Sequence, residues 1–296
     1  MKTDVAFLSS GMNLAGHLYT PADLTADERR PAIVVGHPTT GVKEQTASLY
    51  AQRLADAGYI ALAFDAAHQG ESEGLPRALE NPFQRADDFR NAVTYLSTRE
   101  DVDPERIGVL GICGSGGYAP YAAETDHRMK AVATVSAADV PGFFRSADPE
   151  GFQELVAQSG KARTEEAAGE PVRLVPLLPD AVDESTPAPV REFFDYYRTP
   201  RAQHPRSIGA YALRSADQLA QYDSFTEVHR IAPRPLLMIA GTEAVTLPFS
   251  QGAVEQAGPT AELFTVPGAT HVDLYDREKA VGPAAAKLVD FFGKHL

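Results

Sequence analysis

The sequence predicts an α/β protein whose largely parallel sheet is covered by helices on both faces. Two observations support this fold class. Short apolar runs that predict buried strands alternate with segments whose apolar residues recur at helical spacing, and this alternation is typical of doubly wound sheets. The chain of 296 residues is also long enough to bury one large core.

The first half of the chain supplies most of the predicted strands. A hairpin is expected from strands at 3–8 and 13–19, and apolar runs predict further strands at 31–36, 59–64, 107–110 and 131–135. Helices are expected up to Gly58, over 83–98 and over 116–124. The Asp103-Pro104 pair predicts a break just before the strand at 107–110.

The alternation stops between residues 140 and 222, where prolines, charges and aromatic clusters replace the apolar runs. A structureless loop of that length is improbable inside a compact domain. We therefore predict a core at 1–139 and 223–296 that is interrupted by a helical cap insertion at 140–222. Strands at 234–240 and 262–266 and helices at 248–257 and 278–295 complete the core.

The composition argues against several classes of function. A formal net charge of -13 and the lack of a basic run disfavour nucleic acid and anionic membrane surfaces as partners. The chain shows neither a signal-peptide pattern nor an apolar run of membrane-spanning length, so a cytoplasmic protein is expected. The single cysteine agrees with a reducing compartment. Self-association stays open, with a homodimer as the commonest form.

The stretch Gly111-Ile-Cys-Gly-Ser115 joins a predicted strand to a predicted helix. This layout resembles the G-x-S-x-G nucleophile elbow, in which a tight turn raises one reactive side chain above the sheet. Cys113 occupies the nucleophile position. A second frame, centred on Ser115, lies further from the strand and lacks the leading glycine, so Cys113 is preferred. The helix dipole and a nearby imidazolium would stabilise its thiolate.

A nucleophile of this kind needs a base and, commonly, an acid that follow it in the order nucleophile, acid, histidine. His271 follows the last predicted strand in a turn-rich loop and is the expected base. The acid position after the strand at 234–240 holds Ala244 where an aspartate is usual. Glu243 is therefore the expected acid, and Asp139 is the alternative.

Stabilisation of an oxyanion requires two backbone N–H groups. Gly114, directly after the nucleophile, supplies one. The other is expected from Thr39, or from Thr40 as second choice, because Pro38 has no N–H. His37, Thr40 and Tyr197 are candidates for substrate contact, although a histidine in a loop often only braces a turn.

The sequence predicts no metal ion and no cofactor. Histidine and acidic residues such as His68 and Glu71 do not recur at metal-ligand spacing. The glycines at 114–117 lack the lysine and the spacing of a phosphate-binding loop, and the dinucleotide pattern G-x-G-x-x-G is missing.

These residues resemble the dienelactone-hydrolase-like group of the α/β-hydrolases, over nearly the full length of the chain. The resemblance lies in the elbow Gly111–Tyr118, the loop 37–45, the run Phe64-Asp-Ala-Ala-His-Gln-Gly-Glu-Ser72 and the segment Pro267-Gly-Ala-Thr-His271. It is greatest for bacterial proteins related to fungal polyketide transferases and thiohydrolases. The resemblance implies an eight-stranded mixed sheet, a helical cap, a cysteine nucleophile, a catalytic histidine and no cofactor.

Three functions follow as hypotheses. The first is an acyl hydrolase that cleaves a small ester, lactone or thioester through an acyl-Cys113 intermediate. The second is an acyltransferase of the polyketide-tailoring type that passes the same acyl group to an alcohol or amine. The third is a binding protein without turnover on a hydrolase scaffold, since a fold does not fix a function.

Overall fold

The computed structural model describes residues 1–25 and 27–296, and its centre is an eight-stranded sheet. The ten strands in chain order are β1 (Lys2–Ser9), β2 (Met12–Tyr19), β3 (Arg30–Gly36), β4 (Ile60–Phe64), β5 (Val102–Ile112), β6 (Met129–Val135), β7 (Leu174–Pro176), β8 (Ala210–Ala212), β9 (Leu236–Gly241) and β10 (Ala261–Val266). The large sheet has the order β1-β2-β4-β3-β5-β6-β9-β10, and β7 and β8 form a separate antiparallel pair.

The large sheet is mostly parallel. Strand β2 pairs antiparallel with β1 and with β4, whereas the neighbours from β4 to β10 pair in parallel. The predicted fold class is therefore confirmed. Because the carboxyl ends of parallel strands meet at one edge of a sheet, the loops after β3, β5, β9 and β10 converge there.

Helices cover both faces of this sheet. They are α1 (Thr46–Asp56), α2 (Pro82–Ser97), α3 (Ser115–Ala123), α4 (Val140–Ala147), α5 (Pro149–Ala167), α6 (Ala188–Arg198), α7 (Ala216–Ala220), α8 (Leu247–Ala257), α9 (Asp273–Asp276) and α10 (Glu278–His295). One buried cluster joins α2, α3 and α8 to the sheet, and a second joins α1 and α10 to its other face. In the described residues, no helix combines the length and apolarity needed to cross a bilayer.

Strand β3 illustrates why its sequence is a continuous apolar run. Ile33 and Val35 pack in one buried cluster, whereas Ala32 and Val34 pack in the other. Successive side chains of a strand point to opposite faces. A strand with helices on both faces therefore needs apolar residues at every position.

The predicted break at Asp103-Pro104 is wrong. Strand β5 begins at Val102 and runs through both residues. Its pairing with β3 shifts register between Arg30 and Ala32, so that Pro104 lies in the irregular part of the ladder. The missing N–H of a proline is tolerated at such a bulge.

The inserted segment (residues 140–222) is mainly helical and contains α4, α5, α6 and α7. It also contains the strands β7 and β8, which the sequence did not predict. Each of these strands has three residues, which is too short to give a recognisable alternation of apolar and polar side chains. The role of this segment as a separate cap stays a prediction.

Candidate active site

Cys113 lies at a tight turn between β5 and α3. Its backbone φ is 55°, in the left-handed region that is costly for a residue with a side chain. Two backbone bonds hold this conformation: the Cys113 N–H donates to the Val135 carbonyl at 3.0 Å, and the Cys113 carbonyl accepts from Ala138 N–H at 3.0 Å. The turn is the elbow that the sequence predicted.

The glycines of this turn are required by close contacts. A Cβ at Gly111 would collide with the Ser115 backbone, and a Cβ at Gly114 would collide with the Thr39 side chain. Ser115 itself is buried, and its hydroxyl donates to the His37 carbonyl at 2.6 Å. The geometry therefore favours the frame centred on Cys113, because Ser115 is turned into the protein.

Two backbone N–H groups face the Cys113 sulfur. They belong to Gly114 and Thr39, and both lower the pKa of the thiol; Thr39 packs against Gly114 and lines the same pocket as Cys113. These are the two donors that the sequence suggested for an oxyanion hole. A carbonyl carbon bonded to this sulfur would place its oxygen near the same donors.

His271 lies in the loop after β10 and is 1% exposed. Its Nδ1 is 2.7 Å from the Thr246 hydroxyl, and its Nε2 is 2.9 Å from the Tyr275 hydroxyl. The Ser136 hydroxyl donates to the His271 carbonyl at 2.9 Å and so helps to hold this loop in place. If Nδ1 carries the ring proton and donates it to Thr246, then Nε2 is free to accept a proton from the side of Tyr275.

The expectation that Glu243 reaches His271 is wrong. The Glu243 side chain is exposed, and Thr246 occupies the position beside Nδ1 that an acid would take. The alternative acid, Asp139, is also held elsewhere: it precedes α4 and accepts a hydrogen bond from the Ser224 hydroxyl at 2.8 Å. Both carboxylates were placed correctly after their strands, but the loops turn them away from the imidazole.

Burial controls the protonation of both reactive groups. It raises the pKa of the Cys113 thiol, although hydrogen bonds from Tyr275, Gly114 and Thr39 oppose that shift. Burial lowers the pKa of His271 to about 3. Both shifts favour a neutral thiol and a neutral imidazole over the thiolate that the sequence led us to expect.

An apolar pocket of about 130 Å³ opens onto the Cys113 sulfur. The core contributes six residues to its lining, and the inserted segment contributes seven. These residues are Thr39, Thr40, Cys113, Ala138, Thr246 and His271 from the core, and Val140, Phe143, Phe144, Leu177, Leu178, Phe193 and Tyr197 from the inserted segment. None of the thirteen is an aspartate, a glutamate, a lysine or an arginine.

The predicted substrate contacts have different outcomes. Thr40 and Tyr197 line the pocket, whereas His37 does not. His37 is buried; its Nδ1 lies 2.7 Å from the Pro38 carbonyl, and its Nε2 accepts from the Ala66 N–H at 3.1 Å. The prediction of His37 as a substrate contact is therefore wrong, because both ring nitrogens brace the loops around it.

Thr246 and Tyr275 are the two polar neighbours of His271 that sequence reasoning missed. Thr246 immediately precedes α8, and Tyr275 lies four residues after His271. The spacing of Tyr275 was a usable signal, because residues four apart in a helical turn lie on one side of it. Nothing in the sequence distinguished Thr246 from the other polar residues of its loop.

Three carboxylates come together near the loop after β3. They belong to Glu44, Asp65 and Glu71, and the Lys43 ammonium lies within 2.9 Å of an oxygen of each. Lys43 is 1% exposed. The cluster is therefore an ion-pair network in which lysine supplies the positive charge.

Comparison with known proteins agrees with this geometry. Residues 14–139 match the model of the dienelactone hydrolase family. The chain is 35% identical to the uncharacterized protein YcjY of Escherichia coli K12, over the full length of both. It is 27% identical to the acyltransferase drtE of Aspergillus calidoustus, and the match covers 96% of this chain and 91% of that one.

Among solved structures, the crystal structure of the hypothetical protein PA2218 from Pseudomonas aeruginosa superposes with a TM-score of 0.91 at 36% identity. The match covers all of this chain and 94% of PA2218. Full-length similarity at this level, the sheet order and the elbow agree with one another. The chain belongs to the dienelactone hydrolase family and is a hydrolase of the α/β fold.

Proposed function

We propose that this protein is an acyl hydrolase that works through an acyl-Cys113 intermediate and uses His271 as its base. The observation that carries the proposal is the setting of the Cys113 sulfur. It lies at a strained elbow, faces an apolar pocket, and is within reach of the N–H groups of Thr39 and Gly114. A buried thiol without a catalytic role would need none of these features.

The proposed reaction has two halves. In the first, the sulfur attacks the carbonyl carbon of an ester or thioester while its proton moves to His271, and the developing oxyanion accepts hydrogen bonds from Thr39 and Gly114. The leaving group departs with the proton from His271. In the second half, His271 takes a proton from water, which attacks the acyl-thioester and releases the acid and the free thiol.

The pocket suggests the kind of acyl group. Its volume of about 130 Å³ is close to that of an engineered cavity of about 150 Å³ that holds benzene. Its lining offers no cation to an anionic substrate. We therefore propose short or single-ring neutral acyl groups as substrates.

The first experiment locates the intermediate. We expect a neutral p-nitrophenyl ester or N-acetylcysteamine thioester to add one acyl group to the protein in rapid-quench mass spectrometry, and peptide mapping should find it on Cys113. Cys113→Ala should form no adduct. An adduct on Ser115 in the same peptide, or turnover by Cys113→Ala equal to wild type, would refute the proposed nucleophile.

The charge preference is tested with a matched pair of N-acetylcysteamine thioesters, 4-methylpentanoyl and succinyl, which differ by an isopropyl group in place of a carboxylate. Burying an unpaired carboxylate costs several kcal/mol, so we expect kcat/KM for the succinyl ester to be about 100-fold lower. Equal rates for the two would show that the acyl group does not enter this pocket.

Acyl transfer is the second candidate function. It is favoured by the similarity of the chain, over nearly its full length, to an acyltransferase. A fall in free acid and a matching rise in acylated product when alcohols or amines are added would identify this activity. A ligand-binding protein would bind these esters without any adduct.

A further inference from the structure

We propose that the Tyr275 hydroxyl carries the proton between Cys113 and His271, as a catalytic residue in the formation of the acyl-Cys113 intermediate proposed above, on which this inference rests. The hydroxyl is 2.9 Å from His271 Nε2, and it acts on the Cys113 thiol as well, since it lowers the pKa of that thiol. Cys113 and His271 line the same pocket, together with Tyr197, whose ring packs against Tyr275. The nucleophile and the base thus meet through a third group, which is not part of the expected Cys-His-acid set.

The surroundings of Tyr275 hold its hydroxyl at this place. The side chain is fully buried, and its ring packs edge-on against Tyr196 with centroids 5.0 Å apart and against His271 with centroids 5.4 Å apart. Tyr197 packs against the same ring from the pocket side, at 6.3 Å. A ring enclosed in this way has little freedom to swing out and open a direct path from sulfur to nitrogen.

The remaining contacts of His271 point to the same path. Its Nδ1 is bonded to Thr246, so Nε2 is the nitrogen available to a proton from the pocket, and Nε2 faces Tyr275. Tyrosine suits this position because its oxygen can accept one proton as it gives up another. The phenol therefore does not have to ionise, which would be costly in a buried site.

The proposed step balances as follows. As the sulfur forms its bond to the acyl carbon, the thiol proton moves to the Tyr275 oxygen and the phenolic proton moves to His271 Nε2. The imidazolium then protonates the departing oxygen or sulfur of the substrate, through the same hydroxyl in reverse, as the bond from the acyl carbon to that atom breaks. Tyr275 ends the step unchanged, and no oxidant, reductant or further reactant is needed.

The test compares Tyr275→Phe with Tyr59→Phe, which also removes a hydroxyl from a buried ring but at the α10 side of the sheet, where it bonds to Val289. Single-turnover acylation by a neutral p-nitrophenyl ester is measured in mixtures of H₂O and D₂O. We expect Tyr275→Phe to slow acylation about 100-fold, within the range of general acid–base catalysis. Tyr59→Phe should react like wild type.

The isotope dependence separates proton transfer from packing. Two protons that move together give wild type a curved dependence of rate on deuterium fraction, and the dependence should become linear in Tyr275→Phe. An acylation rate in Tyr275→Phe that equals or exceeds that of wild type would overturn the proposal. A slower rate with the curvature retained would also overturn it, because that result describes only a positioning role.

Alkylation of Cys113 by iodoacetamide as a function of pH keeps this inference separate from the proposed function. Because the Tyr275 hydroxyl lowers the pKa of the thiol, its removal should move the midpoint of alkylation to higher pH. If wild type forms no acyl adduct, the proposed function fails, and an unchanged midpoint in Tyr275→Phe then overturns the contact as well. An adduct in wild type with unchanged rates in Tyr275→Phe overturns the proton path alone.

Discussion

His271 differs from a typical catalytic histidine in the neighbour of its Nδ1. Thr246 can accept the Nδ1 proton and so fix the tautomer, but its neutral hydroxyl cannot stabilise an imidazolium as a carboxylate would. Burial without a counter-charge lowers the pKa of His271 to about 3. The histidine is therefore a weak base that is oriented well. Transfer of the thiol proton to it must accompany the attack of the sulfur on the acyl carbon.

Thr246→Val tests this orientation, because valine keeps the shape of threonine and removes its hydroxyl. Loss of one buried hydrogen bond is worth about 1 to 1.5 kcal/mol, so we expect kcat to fall about tenfold. Glu243→Gln and Asp139→Asn serve as controls for the two carboxylates predicted from sequence. Steady-state kinetics that show a large fall for Glu243→Gln and none for Thr246→Val would restore the carboxylate assignment.

The low pKa of His271 predicts an unusual pH profile. A base that is neutral above about pH 3 does not lose activity near pH 6.5, so kcat/KM should stay level from pH 7 to pH 5. In the unfolded chain His271 has its ordinary pKa of 6.5, whereas in the folded protein its pKa is about 3. Between these two values the unfolded chain binds more protons than the folded one, so the free energy of unfolding falls as the pH falls. Circular dichroism at each pH separates unfolding from titration. An acid limb near pH 6.5 in folded protein would contradict the burial of a neutral His271.

At the scale of elements, helix α6 of the inserted segment holds the loop that carries His271. The Glu192 carboxylate accepts hydrogen bonds from the Thr270 hydroxyl and from the Val272 N–H, the residues on either side of His271. The Phe193 ring lies 5.1 Å from the imidazole, centroid to centroid. The same helix thus lines the pocket and supports the base.

Glu192→Ala should release this loop. Hydrogen bonds to a charged group are worth about 1.5 to 3 kcal/mol. Without them His271 should be less well positioned, and we expect kcat/KM to fall about tenfold. Glu192→Gln keeps one acceptor oxygen and should retain most of the activity. If both variants keep wild-type kcat/KM with an unchanged melting temperature, α6 does not position the base.

At the scale of the whole molecule, the fold could be predicted because it depends on repeated patterns. Helix α10 begins and ends at the predicted residues, and each of the eight strands of the large sheet overlaps a predicted strand, although most begin or end outside the predicted bounds. The loops at one edge of a parallel sheet must converge, which explains why Cys113, Thr39 and His271 could be placed near one pocket from their order alone. Their catalytic roles stay proposals.

The parts that could not be predicted depend on single rotamers and short loops. No periodicity tells that the loop after β9 presents Thr246 rather than Glu243 to the imidazole. Likewise, the low pKa of His271 arises from burial by side chains that are distant in sequence, Phe193 among them. Long patterns average over many residues, whereas a catalytic contact is decided by a few tenths of an ångström.

The support that α6 gives to the His271 loop has a consequence for engineering. Exchanging the segment that shapes the acyl pocket for that of a relative is an obvious way to alter which esters are accepted. In this protein such a graft would also remove the acceptor that fixes the base, so that new selectivity and slower turnover would arrive together. A donor segment with an acidic side chain at the place of Glu192 would avoid that coupling.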